Sequence, residues 1–366
     1  MSHHTATNRP LHRLKFQISN FGLPPAVALA ALLLAPVFFL APPAALASGL
    51  TWTPETGWKV EGGILTGVTG PDGRAALADM NEARAHEEKG EIGKAINAYG
   101  RVGKKYSNSI YAPEAVFRAA TLRFEQRKFT KAFENYQTAV SRYPNTTRFE
   151  QIIGEQYTIA AAYLNGARSP LFGIFPGFTN YEKAVQYFET ILFNAPYSDY
   201  APLCLMNIAA GHQRLGNTEE ALYALDRVIN NYSGSILTPE AYIKLADAYA
   251  SIVDGPYYDQ GATKDALTYY NDFLILYPGD LHAIDAEKGL KDMKRIMAES
   301  KIKIADFYFK KRGNFKAARV FYNDAITVFP DSDVALLARK RLVEVDEAIA
   351  RASQIPKKKK KRFFYF

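Results

Sequence analysis

The sequence predicts an all-α solenoid, a superhelical stack of about six helix-turn-helix units. Three observations carry that expectation. One short pattern recurs six times, its positions fall at helical spacing, and the breaks between recurrences hold residues that end one helix and start the next.

Each recurrence has an alanine, an aromatic residue or leucine four positions on, a small or apolar residue three further, and Tyr-Pro or a variant at the close. Ala95, Tyr99, Val102 and Tyr106-Ser107 form the first, and Ala132, Tyr136, Ala139 and Tyr143-Pro144 the second. Ala184, Phe188, Ile191 and Ala195-Pro196 follow, then Ala221, Leu225, Val228 and Tyr232-Ser233. Ala266, Tyr270, Phe273 and Tyr277-Pro278 make the fifth, and Ala318, Tyr322, Ala325 and Phe329-Pro330 the sixth. Positions separated by four and then three residues share one helical face, so alanine admits a close neighbour and the aromatic fills the groove beside it. This is the second helix of each unit. The first helix lies upstream, with Ala120, Ala209 and Ala246 at a small-residue position and Gly90, Gly216 and Gly313 where the chain reverses. At the joints, Pro or Ser ends a helix and a Ser, Thr or Asp is expected to cap the next, as in Tyr106-Ser107-Asn108-Ser109, Tyr143-Pro144-Asn145-Thr146 and Phe329-Pro330-Asp331-Ser332. Pro113, Pro202 and Pro239 suit a first helical turn.

The alanines of the pattern are spaced by 37, 52, 37, 45 and 52 residues, so three units carry extra sequence. The third holds an insertion, Ala167 to Thr179, with Leu171, Phe172, Ile174, Phe175 and Phe178 around Gly and Pro. Five large apolar residues there point to a protein-docking loop. The fifth unit holds Asp254 to Thr263 with Tyr257 and Tyr258, and the last has a longer first helix from about Ala283 to Lys311.

The formal charge is +8. Arg9, Arg13 and Lys15 in residues 1–47 and six cations at 357–362 more than account for it, leaving the body at about −1. Composition therefore gives no phosphate-tracking surface and argues against a nucleic-acid partner. Residues 1–47 read as an export signal, with a basic stretch, an apolar run from Ala26 to Ala41, and Ala45-Leu46-Ala47 ahead of the expected cleavage. The alternative is an uncleaved anchor over Leu23 to Leu46, against which stand Pro24, Pro25, Pro36, Pro42 and Pro43. Residues 48–74 form an arm with Trp52, Trp58 and a Gly-rich linker, which either folds back on the first repeat or meets a partner. The solenoid is expected over 75–350 and a basic-aromatic tail over 351–366.

No enzyme, cofactor or metal site is expected. His86, His212 and His282 are far apart at no metal-ligand spacing, and no phosphate loop or nucleophile motif occurs. Cys204, the single cysteine, excludes a disulfide framework and a multi-thiol zinc site. Chemistry is expected instead on surfaces. The first helices should line a groove that includes Phe117, Thr121, Phe124, Tyr157, Met206, Arg214 and Asp247, whose aromatic and Met side chains can hold a peptide while Arg and Asp fix its direction. Phe117, Tyr157 and Met206 also fit a core role. The tail joins Lys357, Lys358, Lys359, Lys360, Lys361 and Arg362 to Phe363, Phe364, Tyr365 and Phe366. Three readings of it stand: a tether to an anionic membrane surface, an aromatic end entering a partner's groove or sheet edge, or a solvated terminus.

These units resemble tetratricopeptide repeats over about residues 75 to 345. More specifically, Tyr111-Ala112-Pro113-Glu114-Ala115 leading into Leu122-Arg123-Phe124, the Tyr143-Pro144-Asn145-Thr146 joint, Leu171-Phe172-Gly173-Ile174, and Ile304-Ala305-Asp306-Phe307-Tyr308 before Arg312-Gly313-Asn314 and Ala317-Ala318 are similar to the BamD-like family. Those proteins are tetratricopeptide lipoproteins of the β-barrel assembly machine in bacterial outer membranes. The resemblance implies an exported scaffold, peripheral at the periplasmic side of the outer membrane, with assembly-machinery proteins and unfolded outer-membrane proteins as partners. It departs from that family in having no cysteine at the expected cleavage point. The alternative function is an exported adaptor coordinating envelope constriction or peptidoglycan synthesis.

Overall fold

The computed structural model describes residues 49–61, 71–168, 178–258 and 260–354. The expected export segment, the basic-aromatic tail, and Leu171, Phe172, Ile174 and Phe175 of the insertion lie outside the described residues. The described chain opens with an antiparallel hairpin of β1 (Gly49–Thr53) and β2 (Gly57–Glu61). Six helix pairs follow. They are α1 (Pro71–Glu88) with α2 (Ile92–Lys105), α3 (Ala112–Glu125) with α4 (Phe129–Arg142), and α5 (Phe149–Leu164) with α6 (Tyr181–Asn194). Next come α7 (Tyr200–Leu215) with α8 (Thr218–Asn231), α9 (Thr238–Ser251) with α10 (Gly261–Leu276), and α11 (Ala283–Lys310) with α12 (Phe315–Val328). A last helix, α13 (Asp333–Gln354), covers the end of the stack.

Each helix packs on its sequence neighbours, and first helices also meet across units, α5 on α7, α9 on α11 and α11 on α13. That is a nearest-neighbour stack. The solenoid starts at Pro71, not 75, because a proline without an N–H is at home in a first helical turn, and α13 runs to Gln354, past the expected 350.

The repeat register holds in every unit. Ala95, Ala132, Ala184, Ala221, Ala266 and Ala318 are all buried, as are Tyr99, Tyr136, Phe188, Leu225, Tyr270 and Tyr322 four residues later. Ala120, Ala209 and Ala246 on the first helices are buried opposite them. The buried residues form four clusters along the stack, the largest running from Val116 on α3 to Leu245 on α9. Ring stacking ties adjacent second helices within it, with Phe133 and Tyr187 at 3.7 Å between centroids and 6° between planes.

Five of the six turns inside the units place a left-handed residue just after the first helix. Gly90, Gly166, Gly216 and Gly313 take a positive φ of 73°, 90°, 78° and 59°, which lets the chain reverse after a first helix. In the second unit Arg127 takes that slot with φ 58°. Its backbone bonds match those of the glycine turns, Lys128 N donating to Arg123 O at 2.9 Å as Asn217 N does to His212 O at 2.9 Å.

The joints between units follow expectation at Ser332 and depart from it elsewhere. Ser109 and Ser198 make no side-chain cap, and the oxygens of Thr146, Ser235 and Asp280 reach only the N–H of Arg148, Leu237 and His282, the residue just before each helix, at 3.3, 3.2 and 2.9 Å. The backbone N–H groups of Ser109, Thr146, Ser198, Ser235 and Asp280 donate to the carbonyls of Tyr106, Tyr143, Ala195, Tyr232 and Tyr277, and their own carbonyls then accept from Ala112, Phe149, Ala201, Thr238 and Ala283. A repeated backbone turn thus satisfies groups that a side-chain cap would otherwise serve. Side-chain caps do occur at Asn180, Asn314 and Ser332, whose oxygens accept from Lys183 N, Ala317 N and Ala335 N at 2.8, 3.1 and 3.0 Å.

Two predictions follow from this packing. Ala132→Leu and Ala221→Leu should each lower unfolding stability by about 1–3 kcal/mol through overpacking, read as an earlier midpoint in chemical denaturation. Arg127→Gly should do the reverse. Releasing a left-handed backbone worth about 1–2 kcal/mol, less the extra unfolded-state freedom of glycine, should raise stability by roughly 0.5–1 kcal/mol.

Candidate protein-docking surfaces

The expected groove residues prove to be largely structural. Phe117, only 3% exposed, packs beside Tyr136 with ring centroids 6.0 Å apart, so it belongs to the core and lines no groove. Phe124 is partly buried against Phe129 at 5.7 Å. Tyr157 is partly buried between Phe188 and Tyr200, at 5.6 and 5.3 Å, and its hydroxyl accepts from Asn207 Nδ2 at 2.9 Å. That bond joins α5 to α7 next to Met206, which is itself partly buried against the core. Arg214 lies over the Tyr181 ring at 5.3 Å and donates to the Leu164 carbonyl, bracing α7 against the preceding unit.

Thr121 and Asp247 belong to a recurring device. Where the aromatic of the second helix is tyrosine, its hydroxyl is satisfied by the partner first helix. Tyr99 donates to Glu87 at 2.8 Å, Tyr270 to Asp247 at 2.5 Å, and Tyr322 to Asp306, while Tyr136 shares a hydrogen bond with Thr121 at 3.2 Å. Burial is the main cause raising all four phenols above their ordinary range, and the neighbouring carboxylates of Tyr99, Tyr270 and Tyr322 add to it. Burial also works on Asp306, but hydrogen bonds from Lys310 and Tyr322 outweigh it and hold this carboxyl below its usual value.

The tryptophan arm folds back on the first repeat. Trp52 pairs with Trp58 across the hairpin, Trp58 is buried in the cluster around Met80, Tyr99 and Leu122, and the Arg84 guanidinium sits 4.2 Å from the Trp52 ring. Arg84 is itself held by Glu87 at 3.0 Å and Glu88 at 3.2 Å. Behind it, Arg118 meets Glu87 at 2.9 Å, and Arg148 meets Glu114 at 3.1 Å. The hairpin thereby packs on α1 and shares a cleft with Glu114 and Arg118 of α3.

One docking surface was not anticipated from sequence. The α6–α7 and α8–α9 joints frame an apolar groove of about 910 Å³, lined by Pro196, Tyr197, Pro202, Leu203, Ile236 and Leu237 among others. Tyr197 is 99% exposed and Ile236 93% exposed. Tyr232 Oη donates to the Pro196 carbonyl at 2.7 Å and fixes the two joints to each other. The available signal was Tyr197, a large apolar residue at a joint position that carries Asn or Asp in Tyr143-Pro144-Asn145 and Phe329-Pro330-Asp331.

The insertion after α5 is closed at its base by a bridge between Arg168 and Thr179, and Phe178 beside it is 86% exposed. His86, His212 and His282 fall on α1, on α7 and at the start of α11. Among the described residues no group of three or more His, Cys, Asp or Glu could hold a metal ion, and no helix is long and apolar enough to cross a membrane. Cys204 is buried in α7, and burial pushes its thiol up to about 12.

Comparison with known proteins bears on the C-terminal half first. Residues 178–360 match the YfiO model, described as outer membrane lipoprotein, and residues 114–146 match a tetratricopeptide repeat. Outer membrane protein assembly factor BamD of Caulobacter vibrioides is 27% identical over 144 residues, covering 38% of this chain and 47% of that protein. The chain thus spans about half the length of this curated relative. Among solved structures, a tetratricopeptide repeat protein from Parabacteroides merdae is 14% identical, with a TM-score of 0.30, over 75% of this chain and all of that one. The C-terminal part of a repeat protein from Cytophaga hutchinsonii is 18% identical, with a TM-score of 0.31, over 72% of this chain and 86% of its own. The YfiO match takes in half of the sequence, α6 to α13 with their joints, and on that ground this tetratricopeptide-repeat chain belongs to the YfiO family of outer membrane lipoproteins.

Proposed function

We propose that this protein is a periplasmic scaffold of outer-membrane β-barrel assembly, and that it binds the barrel-inserting component and unfolded barrel proteins. The observation that carries this reading is the family match over residues 178–360, the part of the stack that also holds the apolar joint groove. A relative named for outer-membrane protein assembly supports it. Scaffolding suits the chemistry, since the exposed features are apolar docking surfaces and the tyrosine–carboxylate pairs serve packing.

Two surfaces divide the work in this proposal. The insertion leaves from the turn edge of the third unit, and the joint groove opens at the opposite ends of the helices, one helix length of about 21 Å away. Leu171, Phe172, Ile174, Phe175 and Phe178 dock one partner, and the groove beside Tyr197 and Ile236 receives another. Attachment falls to the tail. In this proposal Lys357 to Arg362 hold the anionic membrane surface, at about 1 kcal/mol per cation near it, with Phe363 to Phe366 entering the interface.

Purification of the tagged protein from cell envelopes tests the scaffold role. Recovery of an outer-membrane barrel with periplasmic repeats is the expected result, and recovery of cell-wall enzymes alone would mean the adaptor function instead. Phe172→Ser with Phe175→Ser should reduce that recovery while leaving helix content and melting temperature nearly unchanged. A large loss of stability would identify the insertion as folded core. Removal of residues 357–366 should abolish salt-sensitive binding to anionic vesicles, and unchanged envelope association together with unchanged partner recovery would rule out both the tether and the partner-groove role of the tail.

A further inference from the structure

The cations of the folded body are not evenly spread. Between α2 and α4, with α3 as its floor, lies a cleft of about 470 Å³ whose rim carries Arg101, Lys104, Lys105, Arg123 and Arg142 and whose lining includes no carboxylate. A volume of that order suits a small ligand, for which roughly 300–1,000 Å³ is usual. Its existence traces to the sequence of α2. Gly100 leaves open space where a side chain would stand, and at Gly103 a Cβ would come within 2.6 Å of Val116 on α3, so glycine alone allows α2 to lie this close.

Two of the five cations are committed elsewhere. Arg101 is held by Glu82 at 2.6 Å and Asp79 at 3.4 Å, and Lys105 sits 5.1 Å from the Tyr106 ring. The other three are not. Among the described residues Lys104, Arg123 and Arg142 enter no ion pair, and the amides of Asn97 and Asn135 in the same lining make no hydrogen bond. Arg123 is the telling residue, because it is partly buried and the acid whose field it feels, Glu134, forms no ion pair with it. Burial pulls this guanidinium below its ordinary value, and the field of Glu134 offsets that only in part. Surface cations far from any function are normally solvated or paired; a half-buried guanidinium in a cleft with no carboxylate in its lining and two idle amides has the donors an anion needs.

We infer that the cleft between α2 and α4 binds a phosphate group, with Arg123 as the two-pronged donor, Lys104 and Arg142 as flanking charges and the Asn97 and Asn135 amides completing the shell. Phosphate fits better than a carboxylate. Its double charge and three terminal oxygens match three free cations from three different helices, whereas a carboxylate would be satisfied by one arginine. The phosphate can come from a lipid headgroup or from a soluble phosphate compound, and the site is independent of the assembly role.

The test uses the full chain at low ionic strength, titrated with pyrophosphate by calorimetry and sedimented with phosphatidylglycerol-containing or pure phosphatidylcholine vesicles. Arg123→Gln should weaken binding about tenfold, the scale of one lost charge-assisted hydrogen bond. The exposed pair Lys104→Gln with Arg142→Gln should weaken it comparably while leaving the circular-dichroism melt unchanged, which guards against a folding defect at Arg123. Repeating both in a chain without residues 357–366 separates this cleft from the basic tail. Pyrophosphate binding without vesicle binding assigns a soluble ligand, and vesicle binding that pyrophosphate competes away assigns a lipid headgroup. Wild-type affinity in both variants, vesicle binding that vanishes only with the tail, or no binding of either probe would overturn the inference.

Discussion

Everything in this stack depends on how closely two helices can lie side by side. The alanine of each second helix has nothing beyond Cβ, so the first helix approaches until the aromatic four residues on fills the remaining space. All six alanines are buried, and so are the six residues that fill beside them. The same constraint recurs where glycine replaces alanine, as at Gly211, where a Cβ would come within 2.5 Å of Val185. Because each unit meets only its neighbours, stability is a sum of such local contacts, and insertions can enter at the turns without disturbing the rest.

Close approach creates a secondary demand. A buried tyrosine brings a hydroxyl into a low-dielectric contact, and leaving it unbonded costs about 1–3 kcal/mol. Glu87, Thr121, Asp247 and Asp306 meet that demand from the first helices. Units three and four have Phe188 and Leu225 at the position and need no acceptor. The polar group of the first helix is thus dictated by the identity of one residue on the second.

This coupling explains what was legible in the sequence and what was not. Register, turn glycines and the long α11 followed from spacing, because close packing constrains residue size at fixed intervals. The groove assignments fared worse. Asp247 and Thr121 read as ligand-facing because a lone sequence cannot tell a free acceptor from one consumed 23 or 15 residues later by Tyr270 or Tyr136. Phe117 and Tyr157 read equally well as core, and core is where Phe117 lies. The joints are only partly legible: Ser332 caps its helix as its residue type suggests, whereas at Ser109 the backbone closes the turn by itself and Thr146 reaches no further than the N–H of Arg148. Arg127 in a glycine slot carries no periodic signal, and of the joint groove only Tyr197 stands out against the repeat.

Where recognition resides follows from the same accounting. On the first helices, the hairpin packs on α1 beside Glu114 and Arg118 of α3, and the acids of units one, five and six are bound to their tyrosines. Polar groups already satisfied within the fold have little to gain from a partner, since exchanging one hydrogen bond for another yields almost no net energy. Affinity must then come from apolar surface still in water and from charges still unpaired. The described residues offer both, in the joint groove with Tyr197 and Ile236 exposed and in the α2–α4 cleft with Lys104, Arg123 and Arg142 free of ion pairs. A packing rule that satisfies these first-helix polar groups within the fold leaves exposed apolar surface at the joints and unpaired charge in the α2–α4 cleft.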